Sequence, residues 1–287
     1  MKPKFFGQFL LENGYITENQ LLDAINFQNQ FDALKVGQVA IKNEYMTNDQ
    51  VQSVNLEQRR KDKLFGELAV EMGYLTWDQL ENSIDIQKDT HIYIGEALVE
   101  LGHLTQEQLK GYLEEFHVEQ KPLKRLEDII PHDFDMRHEV FTLLDMSIKM
   151  FRRMASLYLK LGEGFFKTSS VENLYVCIQI GFTGSLDFTY FLNLPKNVAI
   201  TMTRNLYGNK DMKCFDDTIC DSIGELGNVI CGNANTQMAR LGHDSSFSVP
   251  LSFTYDETMK IDIPEGKRVL VFPGSVPIGY VEVGVIL

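Results

Sequence analysis

The chain has 287 residues, of which 44% are hydrophobic, and its formal net charge at pH 7 is −13. This length favours two domains, and the apolar content is sufficient for ordinary hydrophobic cores. Acidic residues outnumber basic residues in both parts of the chain, 19 to 10 in residues 1–118 and 21 to 17 in residues 119–287, which argues against nucleic-acid binding.

The sequence lacks several features that would indicate a membrane, secreted or metal-binding protein. No stretch approaches the roughly 18 consecutive apolar residues of a membrane-spanning helix, and the N-terminus lacks the features of a secretory signal peptide. The four cysteines show no CxxC spacing and are expected to be reduced, buried thiols. We therefore expect a cytoplasmic protein that does not bind a membrane. No metal site is predicted, because no set of ligands has suitable spacing.

The N-terminal part of the chain is an internal repeat of four units. Each unit begins with an apolar residue and a glycine, and these glycines are Gly7, Gly37, Gly66 and Gly95. Each unit then contains a Thr-x-x-Gln sequence, which is typical of a capping box at the start of a helix. The threonines are Thr17, Thr47, Thr76 and Thr105. We therefore predict four helix–turn–helix units over residues 1–118, an all-helical region.

The turn between the two helices of each unit has its own signal. Gly14, Gly73 and Gly102 precede the capping box in three units, and Glu44 stands at this position in the second. Glycine supplies the left-handed conformation that ends a helix. A single unit cannot bury its own apolar face, so the units are expected to stack or to pair.

The repeats resemble the MshEN-type domain at the N-terminus of type II secretion and pilus ATPases. The first unit matches the motif of that family at Phe6, Gly7, Leu10, Gly14, Leu21, Ala24, Ile25 and Gln28. Some members of the family bind the cyclic dinucleotide c-di-GMP across two tandem motifs. The resemblance implies that Gly7, Leu10, Gly14, Lys35 and Gly37 are the candidate nucleotide-binding residues.

The arginine that begins the family motif is absent from all four units. Phe5, Lys35, Leu64 and Tyr93 occupy its position. The loss removes a guanidinium that could bond to guanine or to phosphate, and lysine is a poor replacement for it. We therefore expect c-di-GMP to bind weakly or not at all. The repeats are expected to be a packing or docking module instead.

A linker, residues 119–133, is predicted to lead into a second domain over residues 134–287. The apolar pattern there predicts a helix near 134–162, a hairpin of strands 174–182 and 186–192, and helices near 198–207 and 216–241. Strands are predicted over 246–255, 259–263, 268–273 and 279–287, with Gly274 in the last turn. Helices that are segregated from hairpins favour an α+β domain with a largely antiparallel sheet.

The long helix predicted near 216–241 has two different faces. One face is an apolar stripe of Ile219, Ile223, Leu226, Ile230 and Ala234. The opposite face collects Asp221, Glu225, Asn228, Gly232 and Asn235. Glu225 and Asn228 are three residues apart and therefore point the same way. A carboxylate and a carboxamide displayed together can bind a partner's cation and position a water molecule.

The element order of this domain, with Glu-x-x-Asn-x-x-x-Gly-Asn beginning at Glu225, resembles the CheX, CheC and FliY group of chemotaxis phosphatases. The single motif is closer to CheX. The resemblance implies that Glu225 pairs with a lysine of a CheY-like response regulator and that Asn228 positions the water that attacks its aspartyl phosphate. Asp221, Gly232 and Asn235 would dock the regulator. The regulator would supply Mg²⁺, and this chain would have no cofactor of its own.

Two classes of function remain open at this point. The first is a regulator phosphatase, with or without regulation by the repeats. The second is a non-catalytic signalling adaptor or a c-di-GMP-responsive binding module, in which Glu225 and Asn228 form an ordinary solvated helix face. An enzyme needs both side chains exposed and without intramolecular bonds. A homodimer is compatible with either class.

Overall fold

A computed structural model of the chain describes residues 3–31, 35–58, 60–61, 63–89, 92–119, 124–132, 134–168, 170–209, 211–255 and 259–287. The chain divides into two compact units, Phe9–Glu119 and a second unit made of Met1–Gln8 with Gln120–Leu287. The first unit is helical and the second combines helices with an antiparallel sheet, which confirms the predicted fold class. None of the described helices is long and apolar enough to cross a membrane.

The described part of the repeat region contains eight α-helices. They are α1 Phe6–Glu12, α2 Glu18–Phe31, α3 Val36–Lys42, α4 Asn48–Gln58, α5 Phe65–Glu71, α6 Trp77–Asp89, α7 Ile94–Glu100 and α8 Gln106–Glu119. The N–H of Thr17 donates to Gln20 Oε1 at 2.8 Å, and the N–H of Gln20 donates to Thr17 Oγ1 at 3.3 Å. The same two bonds recur at Thr47, Thr76 and Thr105. The predicted capping boxes are therefore confirmed.

All four units use the same left-handed turn after the short helix. Gly14, Gly73 and Gly102 have φ angles of 72°, 73° and 71°, and Glu44 has a φ angle of 59°. A side chain in this region costs roughly 1–2 kcal/mol. The second unit therefore adopts the shared turn although it lacks the favourable residue.

The repeats bury their apolar faces by pairing within the Phe9–Glu119 unit. Helix α3 contacts α6 and α4 contacts α5, so the second repeat pairs with the third, while α2 contacts α7 of the fourth. The middle pair encloses a small core of Ala40, Met46, Val54, Leu68, Ala69, Leu75 and Leu80. Between the outer repeats, the rings of Tyr15 and Tyr112 stack with centroids 3.9 Å apart. Pairing thus supplies the burial that one repeat lacks.

The second unit contains three α-helices and ten strands in its described ranges. The helices are α9 Arg137–Arg153, α10 Lys196–Tyr207 and α11 Asp216–Arg240. The strands are β1 Lys160–Leu161, β2 Phe165–Lys167, β3 Val171–Glu172, β4 Val176–Gly184, β5 Phe188–Leu194, β6 Ser245–Phe247, β7 Leu251–Thr254, β8 Lys260–Ile261, β9 Val269–Val276 and β10 Gly279–Ile286.

The main sheet is antiparallel and has the order β1-β9-β10-β5-β4-β6. Strand β2 also pairs with β9, β7 also pairs with β4, and β3 and β8 form a separate ladder. Side chains from α9, α10 and α11 form one core with alternate residues of the sheet, such as Ile178 and Ile180 of β4. The three helices therefore cover one face of the sheet, as expected for an α+β domain.

Three predicted elements differ from the structure. The strand predicted over 246–255 is divided into β6 and β7 around Pro250, which has no N–H for a ladder. The helix predicted over 134–162 ends at Arg153, and a short strand, β1, begins at Lys160. Gly274 lies inside β9 and not in the turn, and a Cβ at this residue would come 2.8 Å from Val281 Cγ2. This glycine is needed for packing.

The predicted linker, residues 119–133, lies partly outside the described residues. Its described part includes a short 3₁₀ helix, Leu126–Ile129, and the buried side chains of Ile129 and Ile130 belong to the core of the second unit. The guanidinium of Arg137 donates to the carbonyl oxygens of Ile130 and Pro131 at 2.7 Å and 2.6 Å. This part of the segment therefore packs on the sheet domain.

The first residues of the chain also pack on the sheet domain. Gln8 is 5% exposed, and its Nε2 donates to the carbonyl oxygens of Val276 and Gly279 at 2.8 Å and 3.0 Å, at the turn between β9 and β10. Lys160 Nζ donates to the carbonyl oxygen of Lys4 at 3.2 Å. The first residues of α1 therefore belong to the second unit.

Candidate functional site

Helix α11 is held on the sheet by its apolar stripe. The five predicted residues are each at most 1% exposed: Ile219, Ile223, Leu226, Ile230 and Ala234. Gly227 allows a close approach to β4, since a Cβ there would lie 3.0 Å from Ile180 Cδ1. The predicted burial is confirmed, and it fixes which face of α11 points away from the sheet.

The opposite face of α11 carries an acidic ridge, which we define as Asp217, Asp221 and Glu225. The three residues are exposed and are spaced by four positions, so they follow one line along the helix. Asn228 is half-buried and comes one turn after Glu225. Neither Glu225 nor Asn228 has a side-chain hydrogen bond or ion pair with any residue that the structure describes. Both side chains are available to a partner.

The connection between β6 and β7 lies against α11 beside the acidic ridge. Pro250 Cβ would be 3.5 Å from a Cβ at Gly224, the residue before Glu225. The N–H of Ser248 donates to the carbonyl oxygen of Gly181 at 2.9 Å, and the N–H of Gly181 donates to Ser248 Oγ at 3.1 Å. The connection is therefore anchored to β4. The sequence pattern did not reveal it, because residues 246–255 read as one strand.

The three predicted docking residues have different environments. Asp221 is exposed on the acidic ridge. Asn235 Nδ2 donates to the carbonyl oxygen of Ser245 at 3.2 Å, and its Oδ1 accepts from Ser245 Oγ at 2.7 Å. A Cβ at Gly232 would lie 3.6 Å from Phe247 Cζ. Asn235 and Gly232 therefore contact β6, and of the three only Asp221 stands on the ridge with Glu225.

Polar contacts at the base of α11 fix its position relative to the other helices. The buried hydroxyls of Thr203 on α10 and Ser222 on α11 are hydrogen-bonded at 2.7 Å. Beyond the other end of α11, His243 Nε2 lies 2.9 Å from Glu139 Oε1 of α9. These contacts hold Glu225 and Asn228 on a rigid support, which a positioning role requires.

Helix α11 contains two cysteines, of which Cys220 is partly buried and Cys231 is buried in the core. Burial raises the pKa of the Cys231 thiol well above its usual range, and burial also raises the pKa of Cys177 in β4. The thiolate is the reactive form of cysteine. Neither Cys231 nor Cys177 is therefore suited to act as a nucleophile.

Most of the candidate nucleotide-binding residues of the repeats are buried or form part of a turn. Leu10 is fully buried, and Gly7 is buried as well. Gly37 packs under an aromatic ring of α5, with Phe65 Cζ 2.9 Å from the position of a Cβ. Lys35 is exposed at the start of α3. Gly14 occupies the left-handed turn. Nucleotide binding by these residues remains a prediction, as does the MshEN resemblance.

Comparison with known families identifies the domain that carries α11. Residues 176–275 match the model of the family described as chemotaxis phosphatase CheX. The C-terminal region matches CheX. The matched residues run from the start of β4 into β9 and include Glu225, Asn228 and the β6–β7 connection. The predicted resemblance of this region to CheX is confirmed.

Several solved structures are similar to the CheX-like region. CheX from Desulfovibrio desulfuricans is 18% identical over 52% of this chain and 97% of that chain, with a TM-score of 0.47. CheX from Vibrio vulnificus is 21% identical over 52% and 97%, with a TM-score of 0.45. A CheX–CheY–BeF₃–Mg²⁺ complex from Borrelia burgdorferi is 23% identical over 52% and 96%, with a TM-score of 0.44. No curated protein is significantly similar to this chain.

Proposed function

We propose that this protein removes the phosphoryl group from the aspartyl phosphate of a CheY-like response regulator, using Glu225 and Asn228. The supporting observation is that α11 presents these two side chains together, without partners among the described residues, in the region that matches CheX. A solvated helix face would show the same exposure. The family match and the rigid support beneath the pair favour a functional face.

The reaction depends on the position of the attacking water more than on a strong base. An aspartyl phosphate is an acyl phosphate and is already activated. A water oxygen attacks the phosphorus, the bond to the aspartyl oxygen breaks, and the products are inorganic phosphate and the aspartate carboxylate. Asn228 can accept a hydrogen bond from the attacking water through Oδ1, and it can donate through Nδ2 to a phosphoryl oxygen. Asn228 contributes to the rate by holding the water in line with the bond that breaks.

Glu225 has a different role in the same step. Its carboxylate pairs with a lysine of the regulator and so sets the register of the complex, one turn of helix away from Asn228. An exposed ion pair gives orientation and association rate more than affinity. The Mg²⁺ ion is supplied by the regulator, and no residue of this chain is assigned to it.

The repeats are proposed to regulate this site through α1. The start of α1 is bonded through Gln8 to the β9–β10 turn of the CheX-like region. The next turn of the same helix belongs to the repeat unit. A partner that binds the repeats next to Gln8 can therefore change the contact of Gln8 with this turn.

The test uses a panel of phosphorylated receiver domains with Mg²⁺. Phosphate release is measured with the wild type, with Asn228→Ala and with Asn55→Ala, a control on an exposed position of α4. We expect Asn228→Ala to lose dephosphorylation by on the order of 10²-fold on the regulator that the wild type accepts. Asn55→Ala should match the wild type. If Asn228→Ala remains as active as the wild type on every accepted regulator, this face does not carry the reaction.

The same experiment distinguishes a phosphatase from a non-catalytic adaptor. An adaptor binds the receiver domains but leaves their phosphoryl lifetime unchanged in the wild type. Binding without any acceleration of phosphate release would therefore replace the phosphatase proposal with the adaptor.

A further inference from the structure

A cavity of about 260 Å³ lies on the face of the sheet that is turned away from α11. Its lining includes Gln179 of β4, Thr189 of β5 and Ile286 of β10. Gln179 lies between Ile178 and Ile180, whose side chains pack with the helices, and successive side chains of a strand point to opposite faces. Thr189 is in register with Ile286 across the β5–β10 pair. The sheet therefore separates this cavity from the acidic ridge.

One part of the cavity lining is apolar. Ile261 of β8 and Ile286 are 7% and 8% exposed, and both belong to a small core on this face of the sheet. Phe253 of β7 packs against the same core and also lines the cavity. Contact with these side chains is favourable for an apolar group and costly for an unpaired polar group. A ligand that fills the cavity is therefore expected to have an apolar body.

Two neutral polar side chains of the lining have unused hydrogen-bonding capacity. Gln179 and Thr189 are half-buried, and neither side chain forms a hydrogen bond with a residue that the structure describes. A carboxamide can donate and accept hydrogen bonds, and a hydroxyl can do both as well. These two groups can therefore orient a polar end of a ligand.

The charged side chains of the lining favour an anion. Lys260, Lys267 and Asp262 give the lining a net charge of +1, in a chain whose net charge is −13. Lys260 has no ion pair with a described residue. Lys267 Nζ lies 3.5 Å from Oδ2 of Asp187, whose side chain is 86% exposed. An ion pair with such an exposed member contributes little free energy, so both ammonium groups are available to a ligand.

We propose that this cavity is a binding site for a small organic monoanion. The carboxylate of the ligand pairs with Lys260 and Lys267, and its apolar body lies against Ile261 and Ile286. The cavity is slightly smaller than the roughly 300–1,000 Å³ of sites for drug-sized molecules, which favours a small ligand. The inference is independent of the proposed function, because the cavity lies on the other face of the sheet from Glu225.

The experiment titrates three probes into the full-length protein and follows the isoleucine methyl signals by NMR. Benzoate has a carboxylate and a ring, benzamide has the ring without the charge, and acetate has the charge without the ring. We expect benzoate to shift the signals of Ile261 and Ile286 with a Kd of about 1 mM. The signal of Ile41, in α3 of the repeat unit, should not move. Benzamide and acetate should each bind about tenfold more weakly than benzoate.

Three variants test the role assigned to the lysines. Lys260→Gln and Lys267→Gln should each weaken benzoate binding by about fivefold. Lys213→Gln should leave it unchanged, because this exposed residue does not line the cavity. The methyl signals of the remaining isoleucines establish that each variant is folded.

Four results would overturn the inference. The first is no shift of the Ile261 and Ile286 signals at about 20 mM benzoate. The second is equal affinity for benzamide and benzoate, and the third is unchanged benzoate affinity in both lysine variants, since either shows that the cavity does not select an anion. The fourth is acetate binding as tight as benzoate binding, which removes the apolar contact. None of these results affects the proposed function, because no regulator takes part in the measurement.

Discussion

The repeats and helix α11 both carry polar residues at regular helical positions, but they use them in opposite ways. In the repeats, the motif residues form hydrogen bonds within their own unit, as in the box between Thr17 and Gln20. On α11, Glu225 and Asn228 have no such partner in the described structure. A repeated polar motif in one region is therefore structural, while a single polar motif in the other is displayed. A structural motif is distinguished from a displayed one by whether its polar groups already have hydrogen-bond partners within the protein.

The largest expected effect contrasts the two faces of α11. Leu226→Ala removes a fully buried side chain beneath the helix and should lower the free energy of unfolding by about 3 kcal/mol. Asn228→Ala, on the outer face, should change it by less than about 0.5 kcal/mol. Urea unfolding of both variants measures the difference. Comparable losses of stability would show that Asn228 is part of the fold, and the contrast between the faces would fail.

The next effect concerns Gln8, which bonds to the β9–β10 turn of the second unit. Gln8 occupies the same repeat position as Gln38, and both accept a hydrogen bond from the N–H three residues earlier. Gln8 alone of this pair donates to Val276 and Gly279. Gln8→Ala removes both of these bonds and should cost about 2 kcal/mol, while Gln38→Ala should cost about 0.5–1 kcal/mol. Thermal unfolding of the full-length chain compares them.

The same pair of variants tests regulation by the repeats. If α1 transmits a signal, Gln8→Ala changes the rate of regulator dephosphorylation and Gln38→Ala does not. Equal rates for both variants and the wild type would leave α1 as a structural connection only.

The smallest expected effect tests whether the residues of the repeated turn have a structural role only. Glu44→Gly places glycine in the left-handed turn that Gly14, Gly73 and Gly102 already occupy. The substitution relieves the strain of a side chain in the left-handed region. Glycine also gives the unfolded chain more backbone entropy, which offsets part of this gain. The net effect should stabilise the protein by about 0.5–1 kcal/mol. Chemical denaturation measures the gain. A loss of stability would mean that the Glu44 side chain contributes more than its conformation costs.

The predictable parts of the molecule are those that local patterns determine. The capping box at Thr17 and the buried position of Leu226 follow from spacings of three and four residues, which fix the same helical face in any context. The exposure of Glu225 follows from the same periodicity. The turn at Glu44 was located by the repeat alone, since the residue itself does not favour it.

The unpredicted parts depend on distant partners. Strand β1 has two residues and exists because β9 lies beside it. The bond from Asn235 to Ser245 and the bonds from Gln8 to the β9–β10 turn join residues whose types are usually exposed. The division of the predicted strand into β6 and β7 also depends on its pairing with β4. No periodic signal identifies such contacts, because they are set by tertiary packing.

The most direct test of the central claim is single-turnover dephosphorylation of an accepted regulator across a range of enzyme concentrations. We expect Asn228→Ala to lower the maximal rate by on the order of 10²-fold, with the half-saturating concentration within about twofold of the wild type, because the side chain positions water and not the partner. Glu225→Ala should lower the rate and also raise the half-saturating concentration, since its ion pair acts in docking. A variant with both substitutions that dephosphorylates the regulator at the wild-type rate would contradict the assignment of the reaction to this face of α11.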